Sequence, residues 1–104
     1  MNTARKGNAA EVKVGKQLEA DGWVVGSRRH IGGAGDLLAV STITRRSMLV
    51  EVKTTSRGPW ADFGPADRKA MSGAASSIGA RAYLVWWPTT HEQPEWIAEE
   101  LWPR

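Results

Sequence analysis

Cysteine is absent from the 104 residues. That excludes disulfides and thiolate metal sites and makes the fold independent of redox conditions. Apolar runs are short, and none approaches the roughly 18 residues that a membrane span needs. The opening Met1-Asn2-Thr3-Ala4-Arg5-Lys6 is no signal peptide. Internal repeats, low-complexity tracts and linkers are missing as well. The only two histidines, His30 and His91, have no ligand-like spacing to each other. The glycine cluster at 32–35 is followed by no Gly-Lys-Ser/Thr, which excludes a phosphate-cradling loop. These absences point to an intracellular soluble protein.

What remains is one domain, residues 1–104, with an expected radius of gyration of about 13 Å. An apolar share of 41% supports a core, and 24% charged residues is ordinary for a soluble chain. The net charge of +3 is unevenly spread, with +5 over residues 1–58 and −2 over residues 59–104. A basic first half suits a polyanion.

The pattern predicts a first helix over 5–21, capped by Asn2 or Thr3 and stopped by Gly22. Strands follow at 23–29, at 37–40 and at 47–55, the last two joined by a hairpin turn over 42–46. A loop over 56–64 leads to Pro65, which opens a second helix ending near Gly79. Ser72, Gly73, Ser76 and Ser77 make that helix a weak former. Residues 81–87 read as a buried strand, with Trp96-Ile97 as an edge strand and 98–101 as a helical turn. The order α-β-β-β-α-β is a mixed sheet flanked by helices, an α/β fold.

Met48-Leu49-Val50-Glu51-Val52-Lys53 is the anomaly. Leu49 faces one side of the strand and Val50 and Val52 the other, so both faces are buried. Glu51 and Lys53 then share the Leu49 face. A carboxylate and an ammonium in such a layer cost several kcal/mol per ion unless compensated. Asp36 opens the neighbouring strand. On the first helix, Val14 and Leu18 lie about 60° and 20° to one side of Glu11, which aims Glu11 at the sheet. Glu11 could alternatively cap or pair with a core lysine such as Lys53. Three carboxylates gathered at one place repel, at about 4 kcal/mol for each close pair at 4 Å and an effective dielectric of 20. A cation among them resolves the conflict, and oxygen ligands without His or Cys favour Mg²⁺ or Mn²⁺ over zinc. Metal, lysine and a basic surface together describe phosphodiester hydrolysis.

At these residues the chain resembles a known group. Gly35-Asp36 followed by Glu51-Val52-Lys53 is similar to the PD-(D/E)XK nuclease motif, with Gly in place of the usual Pro. Arg5-Lys6-Gly7-Asn8-Ala9-Ala10-Glu11, then Leu18-Glu19-Ala20-Asp21-Gly22-Trp23 and Arg28, resembles the opening of archaeal-type Holliday junction resolvases. The likeness covers about residues 5–55, with a weaker echo over 81–87. It implies a restriction-endonuclease-like fold, with Asp36, Glu51 and the Val52 carbonyl binding the metal. Glu11 would complete the site directly or through water, and Lys53 would be the catalytic lysine. The family's serine before the Asp has no counterpart in the loop over 29–34. The resemblance further implies a prokaryotic or phage origin, so a cytoplasmic setting, and nicks that leave 5′-phosphate and 3′-hydroxyl ends.

The expected partner is branched DNA, above all a four-way junction, with no membrane and no small-molecule cofactor. Arg5, Lys6, Arg28, Arg29 and Arg57 are the candidate phosphate contacts, which position DNA without reading its sequence. Arg45 and Arg46 lie at the far strand ends and read as solvated. Two scissile phosphates related by a two-fold call for a C2 homodimer. Of Trp86 and Trp87, adjacent on a strand, one should face away from the core, either as a candidate subunit anchor or packed under the second helix or the tail. The alternatives are another nuclease of the same type (nicking, repair or restriction-like) and a non-catalytic DNA-binding protein with a structural acidic site.

Overall fold

The computed structural model describes residues 3–27 and 34–104, with side chains from Ala9 onward. The first helix, α1 (Thr3–Ala20), buries Ala10, Val14 and Leu18, spaced four residues apart on one stripe. It stops at Gly22, whose φ of 91° is open to glycine at little cost. The Gly22 carbonyl then accepts from the Thr42 N–H at 3.0 Å and the Thr42 hydroxyl at 2.7 Å. The helix end is thereby tied to a turn twenty residues on.

Three antiparallel strands follow: β1 (Trp23–Ser27), β2 (Leu37–Ser41) and β3 (Ser47–Lys53). The β2–β3 turn is organised by Ser41, whose Oγ accepts from the Ile43 and Thr44 N–H groups at 3.2 and 3.1 Å. A loop and α2 (Pro65–Ser77) return the chain so that β4 (Arg81–Trp86) lies parallel to β3. The last strand, β5 (Glu95–Ala98), pairs antiparallel with β4 and runs into a short 3₁₀ turn, Glu99–Leu101. The sheet order is β1-β2-β3-β4-β5. The expected elements are present, and the third strand ends at Lys53, short of the expected 55. Residues 28 and 29, expected to extend β1, lie outside the described residues.

The two faces of β3 carry two cores. Val50 and Val52 pack with α1 residues Val14 and Leu18. Leu49 packs with Phe63, Met71, Ala75 and Leu84 on the α2 side. The second helix forms despite its serines and glycine because Met71 and Ala75 are buried against the sheet, and packing outweighs intrinsic propensity. Trp102 closes this layer: its ring meets Phe63 edge-on at 5.1 Å, and its Nε1 donates to the Ile97 carbonyl at 2.9 Å.

Gly35, at the entry to β2, has φ 88° and approaches Leu49 so closely that a Cβ would lie 2.9 Å from two of its side-chain carbons. Proline, fixed near −65°, cannot adopt that angle. The turn before Asp36 is therefore built on glycine rather than being a proline turn with one residue exchanged. Gly35→Ala should combine left-handed strain with overpacking and destabilise the fold by about 2–4 kcal/mol. Urea unfolding of both chains checks this.

Candidate active site

Two strands meet where β2 begins and β3 ends. Asp36 stands opposite Glu51, one step beyond the Leu37–Val50 pair. Its backbone N–H donates to the Val50 carbonyl at 2.8 Å. Its carboxylate Oδ2 accepts the Val52 N–H at 2.7 Å, in place of the strand partner that β2 no longer supplies. In a strand the N–H and C=O of one residue point to the same side, so the Val52 carbonyl also faces Asp36. The Lys53 carbonyl faces the other way and accepts the Trp87 N–H at 2.8 Å.

Asp36, Glu51 and Lys53 share the α2 face, as the strand parity requires. Lys53 Nζ lies 3.0 Å from Glu51 Oε2, with side chains 25% and 15% exposed. Both open onto a cleft of about 180 Å³, walled by Gly35, Phe63, Asp67 and Met71. Burial, and next to it the Asp36 charge, push the Glu51 carboxyl above its ordinary value, against the opposing pull of Lys53. Burial disfavours the Lys53 ammonium, but Glu51, Asp36 and Asp62 together outweigh it and raise its pKa above 10.5. Lys53 is thus a fixed cation at neutral pH, suited to hold charge rather than to take a proton.

Asp67 is a carboxylate that the sequence reading did not assign to the site. It sits in the first turn of α2, lines the cleft and adds to the upward push on Glu51. The available signal was Pro65 at the helix start with an acid two residues on, a favoured helix N-terminus.

Glu11 is half-buried on α1, and α1 packs against the Val50 and Val52 face, across the sheet from the Glu51 side chain. Among the described residues, no three His or acidic side chains are grouped to hold one ion. The donors that are gathered, two carboxylates and a backbone carbonyl, are hard oxygens suited to Mg²⁺ or Mn²⁺.

Of the candidate DNA contacts, Arg57 is exposed and pairs with Asp62 at 2.9 Å; such a surface pair is weak and exchangeable. Arg5 and Lys6 fall within α1, and their side chains, like Arg28, Arg29 and His30, lie outside the described residues. Arg45 and Arg46 are exposed in the turn at the far end of the sheet. Trp86 and Trp87 are both half-buried. Trp86 Nε1 donates to the Thr55 carbonyl at 2.7 Å, and Trp87 Nε1 to the His91 carbonyl at 3.0 Å. His91 lies in a turn, its N–H donating to the Pro88 carbonyl at 2.9 Å.

A mixed sheet with α1 on one face, α2 on the other and two acids and a lysine at the end of its central strand is an α/β fold. That fold is similar to Hjc of Archaeoglobus fulgidus, a Holliday junction resolvase from an archaeal hyperthermophile, with a TM-score of 0.76. The match covers 95% of this chain and 77% of that one at 20% identity, a likeness of fold. No protein-family model matches the chain, and no curated protein matches it in sequence. No helix of the described residues is long and apolar enough to cross a membrane.

Because the folded chain binds the Glu51 proton more tightly than the unfolded chain, metal-free stability should fall as pH rises from about 4.5 through the folded value. Glu51→Gln removes that contribution. Urea unfolding from about pH 4 to pH 8 should show the native-minus-variant stability difference declining as pH rises.

Proposed function

We propose that this chain is a Mg²⁺-dependent, structure-specific DNA endonuclease that resolves four-way junctions by paired phosphodiester hydrolysis. The observation that carries the reading is the Glu51–Lys53 pair in one cleft at the end of β3, with Asp36 opposite Glu51 and bonded to the Val52 N–H. The fold shared with a Holliday junction resolvase supports it.

Asp36 and Glu51, with the Val52 carbonyl, would hold the ion. When bound there, Mg²⁺ polarises a phosphoryl oxygen and lowers the pKa of a coordinated water. Asp36 keeps one oxygen on the Val52 N–H, which fixes the orientation of the other. Lys53, held as a cation by Glu51, orients the attacking water and stabilises charge developing on the pentavalent phosphorus. Water oxygen bonds to phosphorus as the bond to the 3′-oxygen breaks, leaving 5′-phosphate and 3′-hydroxyl. Glu11, on the stretch of α1 that borders Thr54 at the end of β3, would complete the site through water from that end. Phosphate contacts fall to Arg5, Lys6, Arg28, Arg29 and Arg57.

Two strands must be cut symmetrically, which calls for a second copy about a two-fold axis. The surface that suits it is the α1 side of β4 and β5, where Tyr83 and Trp96 pack edge-on at 5.9 Å and stay half-buried. A prokaryotic or phage-infected cytoplasm is the setting that fits.

Labelled synthetic junction, duplex, flap and single-strand DNA, each with and without Mg²⁺, test the proposal. The junction should be nicked in pairs only with Mg²⁺. Asp36→Asn, Glu51→Gln and Lys53→Met should each slow cleavage on the order of 10²–10³-fold while junction binding persists. Linear duplex cut as fast as the junction would recast the protein as a general nuclease of this type. Absence of cleavage by the native chain, with DNA still bound, would make it a binding protein. Glu11→Gln should raise the Mg²⁺ needed for half-maximal rate roughly 10–100-fold, with the rate at saturating Mg²⁺ largely kept.

A further inference from the structure

The C-terminal end of β3 opens onto a second cleft, on the opposite face from the first. Successive strand residues point to opposite faces, so Lys53 enters the acidic cleft and Thr54 enters this one. Lys13 of α1, Thr54, Trp87, Thr89 and His91 line it, around a volume of about 160 Å³. Among the described residues no carboxylate lines it.

Its geometry is fixed to the candidate catalytic strand. The Trp87 N–H is held by the Lys53 carbonyl at 2.8 Å, and the Trp87 ring is strapped at its other end by the His91 carbonyl. Lys13 Nζ lies 5.0 Å from the Trp87 ring centroid, over its face. A lysine that would otherwise sweep solvent is thereby seated at a set position relative to Lys53. The indole face it covers is not available for stacking on a base.

We propose that this cleft binds a backbone phosphate of the same DNA, flanking the scissile one. Lys13 supplies the charge, and the Thr54 hydroxyl donates a hydrogen bond. The proposal rests on the nuclease reading of the first cleft and adds to it a path for the DNA over the rim of β3 and β4. Adjacent residues set the two sites on the order of 10 Å apart, and because neighbouring phosphates of a strand are separated by more than the axial rise, the second phosphate lies about one to two nucleotides away. A phosphate rather than a base is the occupant, because Lys13 already covers the Trp87 ring and its charge stands beside the Thr54 and Thr89 hydroxyls, while the remaining wall of Ala9, Ala10 and Pro88 offers no ring to stack on.

The test separates binding from cutting. In an Asp36→Asn background, binding of a fluorescent four-way junction is measured across a salt series. Lys13→Ala should weaken binding several-fold and lower the magnitude of the salt slope by about one. Thr54→Val should weaken binding with the slope unchanged, since no charge is lost. Arg46→Ala, in the turn at the far end of the sheet, should change neither. Salt-dependent binding by the parent with an unaltered slope in Lys13→Ala overturns the phosphate site and leaves the nuclease reading standing. No binding of the junction by the parent overturns both. Thermal unfolding of each variant identifies any loss of binding that comes from misfolding, and Lys13→Arg, which keeps the charge, should then restore the parent slope if the site is real.

Discussion

One hydrogen bond organises the rest: the Asp36 carboxylate on the Val52 N–H. Before β2 begins, β3 would carry an unpaired backbone donor in a half-buried place, a cost of about 1–3 kcal/mol. A side-chain oxygen fills that gap, and in doing so stands opposite Glu51. The Asp36 charge then helps hold Glu51 toward its protonated form, and Glu51 in turn fixes Lys53. Sheet pairing and candidate chemistry share a single carboxylate. The same atoms that make the strand end tolerable bring two like charges together, a strain that a divalent ion would relieve.

Much of this was legible in the residues. Parity along β3 is enough to assign Leu49 and Val50 to different layers and to put Glu51 with Lys53. Glycine, proline and the apolar periods located the elements. Helical periodicity correctly marked the α1 stripe, but it carries no information on which sheet face the helix covers. That is decided by packing between distant segments, here Val14 and Leu18 on Val50 and Val52. Glu11 was aimed at the sheet on that basis, and the fold puts its helix opposite Glu51. Asp67 went unassigned for the complementary reason: a short, serine-rich helix shows no chemistry until its first turn is laid against the cleft.

Tryptophan is used here as a polar-ended brace more than as an apolar filler. Trp86, Trp87 and Trp102 each pack a ring while the indole N–H takes a backbone carbonyl of a neighbouring segment. Buried indoles need such partners. The carbonyls chosen belong to residues 55, 91 and 97, so the segments leaving β3 and β4 and the residues before the final turn are all clamped. A chain without disulfides gains local rigidity this way, close to the strand ends where positions matter most.

The Trp102 contact with Phe63 has a practical side. Phe63 is at once a wall of the acidic cleft and the ring against which Trp102 is seated. A label placed on Trp102 therefore disturbs the lining of the cleft through two aromatic rings. Labels belong instead at the hairpin over residues 42–46, whose exposed side chains lie at the far end of the sheet.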